Sequence, residues 1–263
     1  MDSEAESGRV DLGRHRFPTS ASLESWPGKE RREPDRGSRH YLILDELAEQ
    51  LREEIPRAAA GRSDLAVLDV GCGEKPYLPF FSGIASSYVG IDAVPSPSVD
   101  LVSPAEKLPI PDEHFDLLIS TQVLEHVDDP GACLSEMFRV LVPGGTLLLS
   151  THGTFLYHPD PTESQRDYWR WTHSGLVRQV EASGDWIEVR IRPQGEFVAT
   201  LGYLLGQFLD EALCRLRIPP LRRFLMARYS ALVEWLDARF PPNARFPSPG
   251  SLNANYLVIA RKR

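Results

Sequence analysis

The sequence predicts an α/β fold: a doubly wound, mostly parallel sheet with helices on both faces and an inserted α-helical segment. Three observations carry this expectation. Between residues 65 and 192, short apolar runs alternate with helical segments, the rhythm of strands joined by crossover helices. The first run ends in Gly71-Cys72-Gly73, a turn that brings backbone N–H groups close to a ligand because glycine has no Cβ to block approach. From Pro193 to Asn253 the alternation gives way to two strongly apolar helical stretches.

The elements follow in order. Residues 1–38 are polar, rich in Arg, Glu, Ser and Pro, and without periodicity up to residue 36, as expected of a mobile tail. From Arg39 to about Ile55, Leu42, Leu44, Leu47, Leu51 and Ile55 recur at helical spacing, and Ala58–Ser63 reads as a linker. Leu65–Val70, Tyr88–Ile91, Asp100–Val102, Phe115–Ser120 and Thr146–Thr151 read as five strands. Pro130–Leu141 is a helix with Asp129 as its cap and Pro143-Gly144-Gly145 as its breaker. Thr172–Ala182 reads as a further helix and Trp186–Arg192 as a strand. The insertion then gives helices at about Phe197–Leu216 and Leu221–Phe240, parted by Pro219-Pro220, before a last strand at Asn255–Ala260. The predicted organisation is a tail (1–38), a main domain (39–192 and 253–263) and a helical insertion (193–252).

Composition narrows the function. The 263 residues are 42% hydrophobic and 25% charged, ordinary for a globular protein. With 29 Lys+Arg against 37 Asp+Glu the net charge is -8, which argues against a general affinity for nucleic-acid phosphate. The charge is uneven: residues 39–195 carry 12 bases and 24 acids, whereas residues 196–263 carry 10 and 5. Cys72, Cys133 and Cys214 have neither disulfide-framework nor zinc-ligand spacing, so no metal is expected. The opening Met-Asp-Ser-Glu-Ala-Glu leads into no apolar run, and the longest uncharged apolar stretch, Phe197–Leu209, has 13 residues against the ~20 needed to span a bilayer. The expected setting is cytoplasmic and reduced.

The chemistry concentrates in a few motifs. Val67-Leu68-Asp69-Val70-Gly71-Cys72-Gly73 is a strand ending in a glycine turn, and Asp92 ends the next strand, where a carboxylate can accept hydrogen bonds from ribose hydroxyls. Further on, Phe115-Asp116-Leu117-Leu118-Ile119-Ser120 leads into Val123-Leu124-Glu125-His126-Val127, and later comes Leu141-Val142-Pro143-Gly144-Gly145. A nicotinamide dehydrogenase is the rival reading of such a turn. Against it, the residues are Gly-Cys-Gly-Glu-Lys-Pro rather than Gly-x-Gly-x-x-Gly, and no tyrosine is followed four residues later by lysine.

Together these residues resemble the class I S-adenosylmethionine-dependent methyltransferases, most closely the type 11 branch acting on small molecules. The resemblance covers about residues 65–192 plus the final strand, roughly half of the chain. It implies a Rossmann-like seven-stranded sheet with an antiparallel last strand, and S-adenosyl-L-methionine as cofactor. It also implies that Asp69, Gly71, Cys72 and Gly73 line the methionine part, that Asp92 holds the ribose with Ala93 beside it, and that Ala105 and Glu106 border the adenine. Thr121 and Gln122 would face the methionine or methyl end. Two positions depart from the pattern. Lys75 replaces the third glycine, followed by Pro76 and Pro79, so a short or distorted first helix is expected; and Pro104 stands where an acid is usual near the adenine amine.

Methyl transfer from a sulfonium is an in-line displacement, so positioning supplies much of the catalysis, and a hydroxyl acceptor also needs a base. Candidates must sit at the carboxyl ends of strands four and five. These are His126, read either as a helix-start packing residue or as a catalytic or cofactor-edge group, and the long loop from His152 to His173. Within that loop His152 and His158 are candidates for substrate contact or proton transfer. Asp167 and Tyr168 either take part in catalysis or tie the loop to the helix, in an Asp-Tyr-Trp-Arg-Trp-Thr segment resembling one found in that branch. Trp169 and Trp171 read as core or lid residues rather than substrate stackers, Thr172 as a helix cap, and Asp128-Asp129 as a solvated helix start rather than a metal-binding pair.

The insertion carries Arg215, Arg217, Arg222, Arg223 and Arg228 around its Pro-Pro corner. It reads as a lid, a homodimer interface, or a basic amphipathic surface (197–240) for peripheral membrane contact or a lipid-linked acceptor. The expected activity is methylation of a small organic acceptor, at oxygen by preference, glycosylated, lipid-linked or natural-product-like by analogy. The alternative is a catalytically silent cofactor-binding interaction module.

Overall fold

The computed structural model describes residues 17–159, 166–241 and 252–263. Parts of the tail, the long loop and the insertion named above, residues 1–16, 160–165 and 242–251, lie outside them. Seven strands form one sheet: β1 (Leu65–Val70), β2 (Ala85–Asp92), β3 (Leu101–Val102), β4 (Phe115–Thr121), β5 (Leu141–His152), β6 (Trp186–Gln194) and β7 (Asn255–Lys262), in the order β3-β2-β1-β4-β5-β7-β6. Pairing is parallel from β3 through β5, while β7 runs antiparallel between β5 and β6. The strand order reverses between β1 and β4, the place where doubly wound sheets open a ligand crevice at the carboxyl ends of their strands.

Period-two alternation divides the core between the two faces of the sheet. Leu68, Val70, Leu118, Leu147 and Leu149 pack under α4 (Pro130–Val140) and α5 (His173–Ala182), against Leu134, Met137, Leu176 and Val180. Leu65, Val67, Leu117, Ile119 and Leu148 face the other way, onto α3 (Tyr41–Ala59), through Leu47, Leu51 and Ile55. Caps appear where the sequence puts them: Asp129 accepts the Ala132 N–H at 3.0 Å and Thr172 the Gly175 N–H at 3.1 Å. No α-helix forms between β1 and β2; Pro76 and Pro79 leave one 3-10 turn, Leu78–Phe81.

The structure departs from the sequence reading in three places. The described part of the expected tail is seated on the domain. Two short helices, α1 (Ser20–Leu23) and α2 (Lys29–Arg32), bracket Trp26, whose indole N–H donates to the Lys75 carbonyl at 2.9 Å. The buried Arg32 guanidinium donates to the carbonyls of Trp26, Pro27 and Pro76. Phe17, Leu23 and Trp26 also pack on the core, but they follow no helical or strand period. Second, β5 begins at Leu141 rather than Thr146. Its pairing jumps from Phe115 with Leu141 to Leu117 with Thr146, so Val142 to Gly145 bulge out of a strand that continues on both sides. Third, β2 starts at Ala85, three residues early, and Asp100 lies just outside β3.

The insertion forms α6 (Phe197–Cys214) and α7 (Pro219–Arg239). They cross closely because Gly202 and Gly206 leave room: a Cβ on Gly202 would lie 2.4 Å from Val233 Cγ1, and one on Gly206 3.0 Å from Tyr229. The Tyr229 hydroxyl donates to the Gly202 carbonyl at 2.7 Å.

Candidate functional site

A cleft of about 720 Å³ opens where β1 and β4 part, within the ordinary range for a small-molecule site. Its floor is the turn after β1. Gly71 and Gly73 have φ of 72° and 49°, and the Gly71 and Cys72 N–H groups both donate to the Ile91 carbonyl. The two glycines serve different needs. A Cβ on Gly71 would lie 2.1 Å from Val123 Cγ2, so this glycine lets β1 pack on the segment after β4. A Cβ on Gly73 would meet nothing within 4 Å, so its backbone lies bare to the cleft.

Asp92, at the end of β2, is held by two amides: Oδ2 accepts from Gly73 at 2.8 Å and Oδ1 from Val94 at 2.9 Å. Lys75 is buried beneath the turn, where its ammonium pairs with Asp100 Oδ2 at 2.5 Å and its Cε fills the space a Cβ on Gly90 would take. Ala93, Ala105 and Glu106 lie on the β2–β3 side of the cleft. Glu106 Oε1 also accepts the Asp128 N–H at 2.9 Å.

Thr121 and Gln122 form the wall at the end of β4. Gln122 sits in the left-handed region with φ 58°, held there by its N–H to the Ser150 carbonyl and its side-chain amide to the Ser150 hydroxyl, both at 2.9 Å. A residue of this size in that region is strained, and such strain concentrates at functional sites. The glycine turn, the bare Gly73 backbone, the fixed Asp92 carboxylate and the long cleft are the features an adenosyl cofactor with an amino-acid tail requires.

At the far end stand the histidines. His126 and His158 line the cleft, with ring centroids 5.4 Å apart. His126 Nδ1 lies 2.7 Å from the Arg166 carbonyl. Behind His158 is Asp167, which accepts the His158 backbone N–H at 2.9 Å and lies 3.6 Å from its ring Nδ1. Arg170 grips both Asp167 oxygens, at 2.6 and 2.7 Å. Partial burial raises the Asp167 pKa, yet the Arg170 bonds and the His158 amide outweigh it and hold it at about 2. Partial burial lowers the His158 pKa despite Asp167.

Several residues stand apart from the cleft. Asp69 is buried under the glycine turn, accepting the Tyr88 hydroxyl at 2.7 Å, and burial raises its pKa to about 7. It does not line the cleft. His152 is 2% exposed and stacked on Phe155 with centroids 3.9 Å apart, one layer behind His158. Tyr168 is 54% exposed and does not line the cleft, while its N–H donates to the Glu125 carbonyl. Asp167 lies behind His158 and does not itself line the cleft.

Sequence reasoning missed two groups. Glu125 is wholly buried, accepts the Thr151 hydroxyl at 2.8 Å and lies 3.3 Å from His152 Nδ1; burial raises its pKa. The second group is Gly28, Glu30 and Arg31, which line the cleft from the segment assigned to the tail. The signal that could have found it is the set of apolar residues Phe17, Leu23 and Trp26, which pack on the core from this otherwise polar segment. His152, His158 and Asp167 offer donor atoms within 4.8 Å of one another, but both Asp167 oxygens are committed to Arg170.

A glycine turn at the strand-order reversal of a 3-2-1-4-5-7-6 sheet defines a class I, S-adenosylmethionine-dependent methyltransferase fold. Sequence comparison agrees: residues 41–183 match the family described as a methyltransferase domain, and the chain belongs to it. A probable S-adenosylmethionine-dependent methyltransferase of Mycolicibacterium smegmatis is 32% identical over 131 residues, 46% of this chain and 47% of that protein. A ubiquinone biosynthesis O-methyltransferase of Bradyrhizobium is 33% identical over 102 residues, 34% of this chain and 40% of that one. The chain thus spans about half or less of the length of these curated relatives. Among solved structures, phosphoethanolamine N-methyltransferase 2 of Haemonchus contortus, in complex with S-adenosyl-L-methionine, shares the fold. Its TM-score is 0.52 at 13% identity, covering 88% of this chain and 57% of that chain.

Proposed function

We propose that this chain transfers the methyl group of S-adenosylmethionine to an oxygen of a small organic acceptor, with His158 as the base. The observation that carries this reading is the His158–Asp167–Arg170 cluster at the cleft wall, a half-exposed imidazole 3.6 Å from a carboxylate that Arg170 keeps ionised. The bound cofactor supplies an already activated methyl on a positive sulfur. Gly71, Cys72 and Gly73 line its methionine part, Asp92 with Ala93 holds the ribose, Ala105 and Glu106 border the adenine, and Thr121 with the strained Gln122 sets the methyl end.

Burial lowers the His158 pKa and so favours its neutral ring, which takes the acceptor's hydroxyl proton. The acceptor oxygen then bonds the methyl carbon as the carbon–sulfur bond breaks and its electron pair returns to sulfur. Asp167 stabilises the imidazolium that forms, and His126 flanks the same space. Glu125 and His152 support the cluster from the buried layer. The acceptor is glycosylated, lipid-linked or natural-product-like; the O-methyltransferase relative supports oxygen as the atom methylated.

Calorimetry with S-adenosylmethionine and S-adenosylhomocysteine tests the shared part, and absence of binding to either overturns it. Release of S-adenosylhomocysteine in an acceptor-containing extract separates an enzyme from a silent binding module. His158→Ala should lower turnover about 10²-fold or more while leaving affinity for S-adenosylhomocysteine within about twofold. The wild-type rate should fall as pH drops through a value below 6.5, and that inflection should vanish in the variant. Full turnover in His158→Ala would remove the base from the scheme.

A further inference from the structure

We propose that the α6–α7 hairpin docks on an anionic lipid surface. This surface lies outside the cleft, so the inference stands apart from the methyl-transfer reading. Among the described residues, ten of the sixteen exposed large apolar side chains fall between Leu201 and Phe240. Phe208 is 70% exposed, Leu205 62%, and Phe224 and Trp235 60% each. Their spacing is ordered. Leu201, Leu205 and Phe208 make one stripe of α6, and Leu221, Phe224, Leu232 and Trp235 one stripe of α7.

The stripes face outward because the seam between the helices is already filled. Gly202 and Gly206 meet Val233 and Tyr229 there, and Met226 and Ser230 are buried on the same side of α7. Tyr203, Leu213, Met226 and Val233 fill the inside of the pair, the larger set of apolar side chains is left outside, and exposed apolar stripes of this kind mark a docking site.

Charge identifies the occupant. Arg215 and Arg217 flank the apolar Leu216 and Ile218 at the corner, and Arg228 lies within the α7 stripe. None of the three pairs with a carboxylate among the described residues. The hairpin's acids are largely satisfied: Asp210 binds Arg222, Glu234 binds Arg36, and Asp237 accepts the Ala199 N–H. An apolar face with unpaired arginines suits an anionic interface, where their stems lie along the acyl boundary and their heads meet phosphate. A two-fold dimer through the same face would instead bring both copies' sets of arginines into one interface.

Crossing the bilayer is the poorer fit. α6 is long and apolar enough by length and composition, with 18 residues at mean hydropathy 1.2. Its inner face, however, is fixed in the fold through buried Thr200, Tyr203 and the Asp210–Arg222 pair. The helix lies on the membrane. Tyr203 stacks on Phe155 at 5.0 Å, and Phe155 on His152, so docking holds the loop bearing His158 near the lipid.

The test is sedimentation of the full chain with vesicles of phosphatidylcholine, alone or mixed with phosphatidylglycerol. Binding is expected only to the mixed vesicles and should weaken at high salt. Removing two arginines in Arg215→Gln/Arg217→Gln should lower the partition coefficient roughly 30-fold, at about 1 kcal/mol for each. Phe208→Ser/Trp235→Ser should abolish sedimentation. Both double variants should keep wild-type affinity for S-adenosylhomocysteine, which shows that they are folded and separates failure of docking from failure of the cofactor site. Equal sedimentation with both vesicle types, or none with either, overturns the proposal. So does a dimer in velocity sedimentation that the apolar variant converts to monomer.

Discussion

At the scale of single residues, the two glycines of the turn after β1 make opposite predictions. Gly71→Ala drives a Cβ to 2.1 Å from Val123 in a backbone already at φ 72°. Overpacking costs about 1–3 kcal/mol and the left-handed conformation about 1–2 more, so the variant should melt roughly 5–15 °C lower. Gly73→Ala meets no neighbour within 4 Å; it should lose only the conformational cost in stability but at least tenfold in affinity for S-adenosylhomocysteine. Thermal denaturation without ligand and calorimetry with it separate the two. If Gly73→Ala melts as low as Gly71→Ala, the division of labour is wrong. Both glycines are legible in the sequence as one motif, but which serves packing and which the ligand depends on Val123, some 50 residues away. Glu125 was hidden for the same reason. It follows an apolar pair as any helix-start acid might, and its burial arises from Thr151 and His152 on another strand.

At the scale of elements, the strands were legible because each is a short apolar run whose alternate residues serve two cores, and the caps because Asp129 and Thr172 act on their own helices. What escaped the sequence depends on distant partners. β5 shows this, since Pro143-Gly144-Gly145 looks like a terminator yet sits in a bulge that β4 spans on both sides. The segment around α1 and α2 shows it more strongly, because it is fastened by an indole N–H and a guanidinium to carbonyls. That fastening brings Gly28, Glu30 and Arg31 to the cleft, so its loss should be felt by the ligand. Arg32→Met removes three carbonyl partners, at about 1 kcal/mol or more each. It should lower the melting temperature and weaken S-adenosylhomocysteine binding at least fivefold in calorimetry. A variant that melts lower but binds with unchanged affinity would mean that the segment braces the domain without shaping the cleft.

At the scale of the whole molecule, buried titratable groups set how stability depends on pH. Burial raises Glu46 and Asp69 to about 7 and raises Glu125 as well. Each is near 4 in the unfolded chain, so the folded protein holds protons that the unfolded one has lost, and this stabilisation fades as pH climbs toward and past 7. Burial acts the opposite way on histidine: it lowers His40 to about 4, with Arg39 adding to the effect, and it lowers His152 and His158. Their contribution is present above 6.5 and is lost as pH falls through the unfolded value toward the lowered folded ones. Between about 4.5 and 6.5 the two sets oppose each other, whereas above 6.5 the unfolded-chain histidines run out of protons to release and the decline due to the carboxyls prevails. The free energy of unfolding, measured by urea denaturation, should therefore change little from pH 5 to 6.5 and fall from 6.5 to 8. Asp69→Asn keeps an oxygen for the Tyr88 hydroxyl and removes one of the three titrations, so its decline between pH 6.5 and 8 should be shallower by about 1 kcal/mol. An unchanged slope would mean that Asp69 is already ionised at pH 6.5, its burial offset by Lys75 beneath the same turn.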